Sequence, residues 1–232
     1  WYANNNHKVK FGLMATHHTF TPDALVLKDA FFGEDLNRKT EYKSVESGLY
    51  IQDEWKISKR MKTLMGIRLS TFTSNDKTYV NPEPRIALSY KLKSDLALKA
   101  SYATMNQYLH LLSNSGVGLP TDLWVPATEK VKPQNSQQVA LGLAKDFEKQ
   151  NFSLTVEGYY KTMNNIIGYK EGASFLGIQD GGDGAESITW EDNITSGQGI
   201  SYGGEVLLQR KQGKLTGWVG YTMSWTTQQF DE

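Results

Sequence analysis

Large apolar residues recur at every second position through most of the chain. In 84–92, Ile86, Leu88, Tyr90 and Leu92 alternate with Arg85, Ala87, Ser89 and Lys91, the period of a strand with one apolar and one polar face. A helix would scatter them. After Lys93-Ser94-Asp95 the alternation restarts with Leu96, Leu98, Ala100 and Tyr102, so two strands meet across a tight polar turn. The unit recurs where Val139, Leu141, Leu143 and Phe147 precede Glu148-Lys149-Gln150-Asn151 and Phe152, Leu154, Val156 and Tyr160 follow it. Further hairpins bend at Ser58-Lys59-Arg60 and at Gln212-Gly213-Lys214. With Val9, Phe11 and Leu13 near the start, the pattern predicts about nine strands and no helix.

The connections alternate strictly between two kinds. Those at 58–60, 93–95, 149–150 and 212–214 are tight, and those at 21–37, 75–82, 106–133 and 169–198 are loose. Every tight turn then lies at one end of the sheet and every loose loop at the other. Such asymmetry fits an all-β, antiparallel, up-and-down transmembrane β-barrel segment with short periplasmic turns and long extracellular loops. The Greek-key crossings of a soluble sandwich occur at both ends.

Aromatic placement points the same way. On the apolar face, Trp55, Tyr90, Phe147 and Phe152 lie close to tight turns, while Tyr102, Tyr160, Tyr202 and Tyr221 lie toward the loose loops. Two belts separated by aliphatic residues are expected at the two lipid interfaces. The opposite face carries Gln52, Glu54, Lys56, Arg68, Arg85, Lys91, Lys99, Glu157 and Glu205 among Gly and Ala. That face is a solvated surface in a soluble two-layer protein and a wet lumen in a large barrel. Periodicity alone does not separate the two.

Composition narrows the classes further. The 25 Lys and Arg balance 25 Asp and Glu, so no global field directs the chain at nucleic acid. A mean hydropathy of -0.50 excludes a helical membrane protein, which needs about 20 consecutive apolar residues per span. Zero cysteines remove disulfides, thiolate metal sites and cysteine nucleophiles.

The stretch Tyr50-Ile51-Gln52-Asp53-Glu54-Trp55-Lys56-Ile57-Ser58, with Leu64-Met65-Gly66-Ile67-Arg68 after it, resembles paired barrel strands of TonB-dependent outer-membrane receptors, most of all those of the Bacteroidetes type. So do 84–90 with 96–102, Val156-Glu157-Gly158-Tyr159-Tyr160-Lys161, and Ser201-Tyr202-Gly203-Gly204-Glu205-Val206. The resemblance covers essentially the whole chain. It implies a receptor in the bacterial outer membrane that imports a scarce nutrient, driven by a TonB complex pulling on an N-terminal plug. The partners it implies are that complex, outer-membrane lipid and a surface lipoprotein lid, with no nucleic acid and no cofactor. No plug, energy-coupling box or terminal aromatic strand is recognisable, and Trp1-Tyr2 and Phe230-Asp231-Glu232 read as cuts through a longer chain. Residues 1–232 are expected to form one partial barrel domain, with the plug and the C-terminal strands absent. The competing readings are a soluble all-β surface binding module, such as a lectin-like sandwich, and an outer-membrane enzyme.

Candidate chemistry is sparse. His17 and His18 are adjacent on a strand and point to opposite faces, so they do not share one ion. His7 and His110 have no partner at ligand spacing, and no metal site is expected. Asp180, Asp183 and Glu186 form a Gly-rich carboxylate loop chemically suited to Ca²⁺ but off the EF-hand spacing. No nucleophile elbow, P-loop or dinucleotide fingerprint is present. The loose loops carry large apolar groups, and Tyr108, His110, Trp124, Phe175 and Trp190 are the candidate ligand contacts at a barrel mouth. The same residues could instead fold inward as a cluster that contacts no ligand.

Overall fold

The computed structural model describes residues 1–20, 41–74, 77–113, 123–171 and 190–231. The strands are β1 Tyr2–Asn4, β2 His7–Phe20, β3 Tyr42–Lys56, β4 Met61–Ser74, β5 Lys77–Lys91 and β6 Leu96–Gln107. After them come β7 Leu109–Leu112, β8 Leu123–Pro126, β9 Gln134–Phe147, β10 Phe152–Tyr169, β11 Ile194–Arg210 and β12 Gly217–Phe230. Ten of these form one antiparallel sheet in the order β1-β2-β3-β4-β5-β6-β9-β10-β11-β12, and β7 and β8 pair apart as a hairpin. Neighbours in the sheet follow sequence order, as the alternation of turns requires of an up-and-down barrel wall.

Local chemistry closes the tight turns. The Asn4 side chain accepts from the Asn6 and His7 amides at 2.8 and 2.9 Å, and Ser58 Oγ accepts from those of Arg60 and Met61 at 3.2 and 3.0 Å. Asn151 takes the left-handed conformation after a short 3₁₀ turn, and Gly213, at φ 122°, turns the chain between β11 and β12.

Register sorts the side chains. Leu88, Ala100, Leu141, Gly158, Gly204 and Met223 form one cross-strand row. Ile86, Tyr102, Val139, Tyr160, Tyr202 and Trp225 form the next row on the same face. The Tyr202 and Trp225 rings stack at 5.5 Å, so Trp225 and not Tyr221 completes the outer aromatic row. Ser89, Lys99, Gly142, Glu157 and Glu205 form a row on the opposite face. No second sheet covers the apolar face among the described residues, where Leu141 is 66% exposed. The buried side chains Phe72, Tyr108, Leu112 and Val125 lie instead on the polar, concave side or in the hairpin. A sandwich buries its apolar face. This wall leaves it exposed.

Two expectations need correcting. The supposed loose connection at 75–82 is mostly strand, because β5 begins at Lys77 and only two residues separate it from β4. The polar residues Thr78 and Asn81 continue β4's ladder, since backbone pairing does not require an apolar face. The second correction concerns 106–133, which contains the β7–β8 hairpin. Pairing of β5 with β6 also stops at Arg85 and Ala103. Beyond them Pro82 and Pro84 have no N–H to donate, and the two strands part.

Candidate functional site

The hairpin folds into the concavity at the loop end of the sheet, with β8 against β2 and β7 against β10. Polar groups hold its base in the gap left by the prolines. Glu83 accepts from Ser70 Oγ at 2.8 Å and from the Asn106 amide at 3.2 Å. The Tyr108 hydroxyl shares a hydrogen bond with Ser70 Oγ at 2.7 Å and accepts from Asn81 Nδ2 at 2.9 Å. The Tyr108 ring stacks flat on Phe72, with centroids 5.0 Å apart. Arg68 lies between Glu46, at 3.3 Å, and Glu83, at 3.8 Å, so three luminal charges constrain one another.

A second cluster holds the rest of the hairpin. Trp190, Leu112, Leu123, Val125 and Val131 are buried together, with Tyr42, Ile167, Tyr169 and Ile194 packed on them. The Tyr42 and Trp190 rings meet edge to face at 6.2 Å. A bulge at Asn165, in the left-handed conformation, shifts β10's register below Ile167 and Tyr169, and its side chain donates to the Pro133 carbonyl at 3.0 Å. Outside the cluster, Lys130 donates to Asp192 at 3.2 Å, Thr128 donates to Glu191, and Tyr79 donates to the Thr128 carbonyl at 2.6 Å. The Asp192 carboxylate raises the Lys130 pKa, first by hydrogen bonding and then by charge.

Beneath the hairpin is a cavity of about 450 Å³, lined among others by Glu46, Gln107, Trp124, Gln134 and Lys161. Four candidate residues thus meet at one mouth in different environments. Tyr108 and Trp190 are packed into its walls, at 2% and 7% exposure, whereas Trp124 is 54% exposed; Tyr108 and Trp124 both line the cavity. Phe175, Asp180, Asp183 and Glu186 lie outside the described residues. His17 faces outward, and His18 faces the lumen with Nε2 3.7 Å from Glu46. Among the described residues no three His or carboxylate groups converge as metal ligands. Sequence reading missed Glu46, Gln107, Gln134 and Lys161. Their signal was polar residues at luminal parity near loose loops, a weak one because every luminal position may be polar in a wet pore.

His110 is buried, and its Nε2 has no hydrogen-bond partner. Burial lowers its pKa from 6.5 to about 4, so the packed hairpin holds it neutral. The sign follows from linkage: the unfolded segment binds the proton more readily, so the hairpin's stability is full above pH 6.5 and falls as pH drops toward about 4. Across that window the loss is roughly 1.4 kcal/mol per pH unit. Hydrogen exchange at 109–112, corrected for intrinsic rate, is expected to accelerate between pH 7 and pH 5 and to lose that dependence in His110→Leu. A pH-independent parent would refute the assignment.

The profile described as TonB dependent receptor-like, beta-barrel matches residues 2–232. No curated protein sequence matches. Among solved structures, the FrpB iron transporter from Neisseria meningitidis (F3-3 variant) superposes with a TM-score of 0.66 at 14% identity, over 99% of this chain and 34% of that one. The ferripyoverdine receptor of the Pseudomonas aeruginosa outer membrane gives 0.60 at 14%, over 96% of this chain and 30% of its own. The copper transporter OprC gives 0.63 at 14%, over 98% and 36%. The chain therefore spans about a third of the length of these structures. With a family match along its whole length and the wall architecture that match requires, the chain belongs to the TonB-dependent receptor family, as part of its outer-membrane β-barrel.

Proposed function

We propose that this chain forms wall and mouth of an importer that draws a scarce nutrient, of the metal or metal-chelate class, across the outer membrane. The observation that carries the reading is the inward-folded hairpin over a polar cavity, in a chain matched throughout by the receptor-barrel family. Similarity to an iron transporter, a ferripyoverdine receptor and a copper transporter supports the substrate class. Energy comes from a TonB complex acting through a plug domain, as it does for a transporter and not an enzyme. The likeness of the strand pairs to Bacteroidetes-type receptors adds a surface lipoprotein lid as a partner.

In this reading Trp124 is the direct ligand contact. Its half-exposed indole offers an apolar face and an N–H donor at the cavity rim, and Lys161 supplies positive charge for an anionic chelate. Tyr108, His110 and Trp190 hold the rim in place. Uptake of radioactive iron as ferric siderophores, and of copper, by cells carrying the full-length receptor tests the assignment. Trp124→Ala is expected to lower uptake about tenfold below saturation, the loss of one good aromatic contact, with barrel abundance unchanged. Parental uptake of every ligand tested by both Trp124→Ala and Lys161→Gln would exclude this cavity as the site.

A further inference from the structure

At the tight-turn end the lipid-facing side carries two basic residues, Lys145 on β9 and Arg210 on β11. Lys145 shares its row with Leu154 and Leu208, and Arg210 shares the next with Phe152 and Phe147. Both side chains lean onto one platform. Lys145 Nζ lies 5.0 Å from the Phe147 ring and the Arg210 guanidinium 5.5 Å from the Phe152 ring, and the two rings sit directly opposite each other in register. Neither cation has a carboxylate partner among the described residues, although Lys211 close by pairs with Asp146 at 3.9 Å. Arg210 Nε is buried without an acceptor. The turn braces this guanidinium: at Gly213 even a Cβ would come within 3.2 Å of it. At the membrane edge these cations can reach interfacial water, and an anion at that level gives them a charge-assisted partner that water does not.

We propose that Lys145 and Arg210 hold the phosphate of one anionic phospholipid of the inner leaflet. The Cα atoms are two strands and two residues apart, roughly 12 Å at sheet spacings, and each cation sits over one ring of the facing Phe147–Phe152 pair, so one phosphate placed at that pair can bridge them. Its acyl chains run toward mid-membrane over Leu154 and Leu208 and then Leu143, Val156 and Val206, which occupy the rows beyond the cations on the same face. A zwitterionic lipid would bring its own ammonium to a site that already has two cations. A lipid without that ammonium leaves the phosphate charge for the protein.

Native mass spectrometry of the full-length receptor, titrated with phosphatidylglycerol or with phosphatidylcholine of the same chains, tests this. The parent is expected to hold one phosphatidylglycerol at about tenfold lower lipid concentration than phosphatidylcholine, the scale of one charge-assisted contact. Lys145→Gln with Arg210→Gln should bring the two lipids to equal retention, while Lys145→Arg keeps the preference. A heat-shift gel reports whether each variant forms the barrel, and the parent's own preference is read without any variant. Equal binding of the two lipids by the parent, or an unchanged preference in a folded double variant, overturns the proposal. So does loss of the preference in excess inorganic phosphate, which would make this a site for the free ion.

Discussion

Leu141→Arg is expected to destabilise the assembled barrel by about 2–4 kcal/mol, the cost of an Arg on the lipid face near the bilayer midplane. Leu141 is central in β9, lies between Ala100 and Gly158 in its row, and is covered by no other part of the chain among the described residues. Its replacement must snorkel or thin the bilayer, since no carboxylate shares that row. Glu157→Gln, on the adjacent strand and the opposite face, removes a charge from a wet lumen and should cost under about 1 kcal/mol. Denaturant unfolding in lipid vesicles measures both. Comparable costs at the two positions would show that the apolar face is not the one in contact with lipid.

Trp190→Ala is expected to release the hairpin with a local loss of roughly 3–5 kcal/mol, the range for truncating a buried Trp. Trp190 is the largest side chain of the cluster joining Leu112, Leu123, Val125 and Val131 to Tyr42 on the wall. Leu112, Leu123 and Val125 belong to the hairpin and lie outside the ten-stranded sheet, so the effect falls chiefly on the mouth. Hydrogen exchange at 109–112 and 123–126 should rise by at least about a hundredfold while the barrel keeps its parental heat resistance, a loss of some 3 kcal/mol in a local opening equilibrium. Unchanged protection would mean that the Tyr108 knot alone fixes the hairpin. Uptake reads the mouth separately: loss through Trp190→Ala comes with a mobile hairpin, and loss through Trp124→Ala with a rigid one.

The strands were legible because lipid and lumen demand opposite chemistry from successive residues, and Leu88, Leu98, Leu141 and Leu154 report that demand without any knowledge of pairing. Tight turns were legible for a similar reason, since Ser58, Asn151 and Gly213 act within a few residues. The segment 75–82 misled because its side chains are polar although its backbone is paired. Pro82 fell in the segment read as a loop, whereas on β5 it and Pro84 end pairing with β6 on one side only and leave the other ladder intact.

The alternation of residues along the chain determined an antiparallel wall with one apolar and one polar face, and all its tight turns but the short β4–β5 connection at the end opposite the candidate mouth, because period and turn chemistry are local properties. Which apolar loop residues would be walls and which would border the cavity was decided only in three dimensions. Tyr108 reaches Ser70 and Asn81, and Trp190 reaches Leu112 and Tyr42, across separations of dozens of residues that no period spans. Tertiary structure likewise placed Lys145 and Arg210 on one aromatic platform, because two strands must pair with a third before side chains on them can share a ligand.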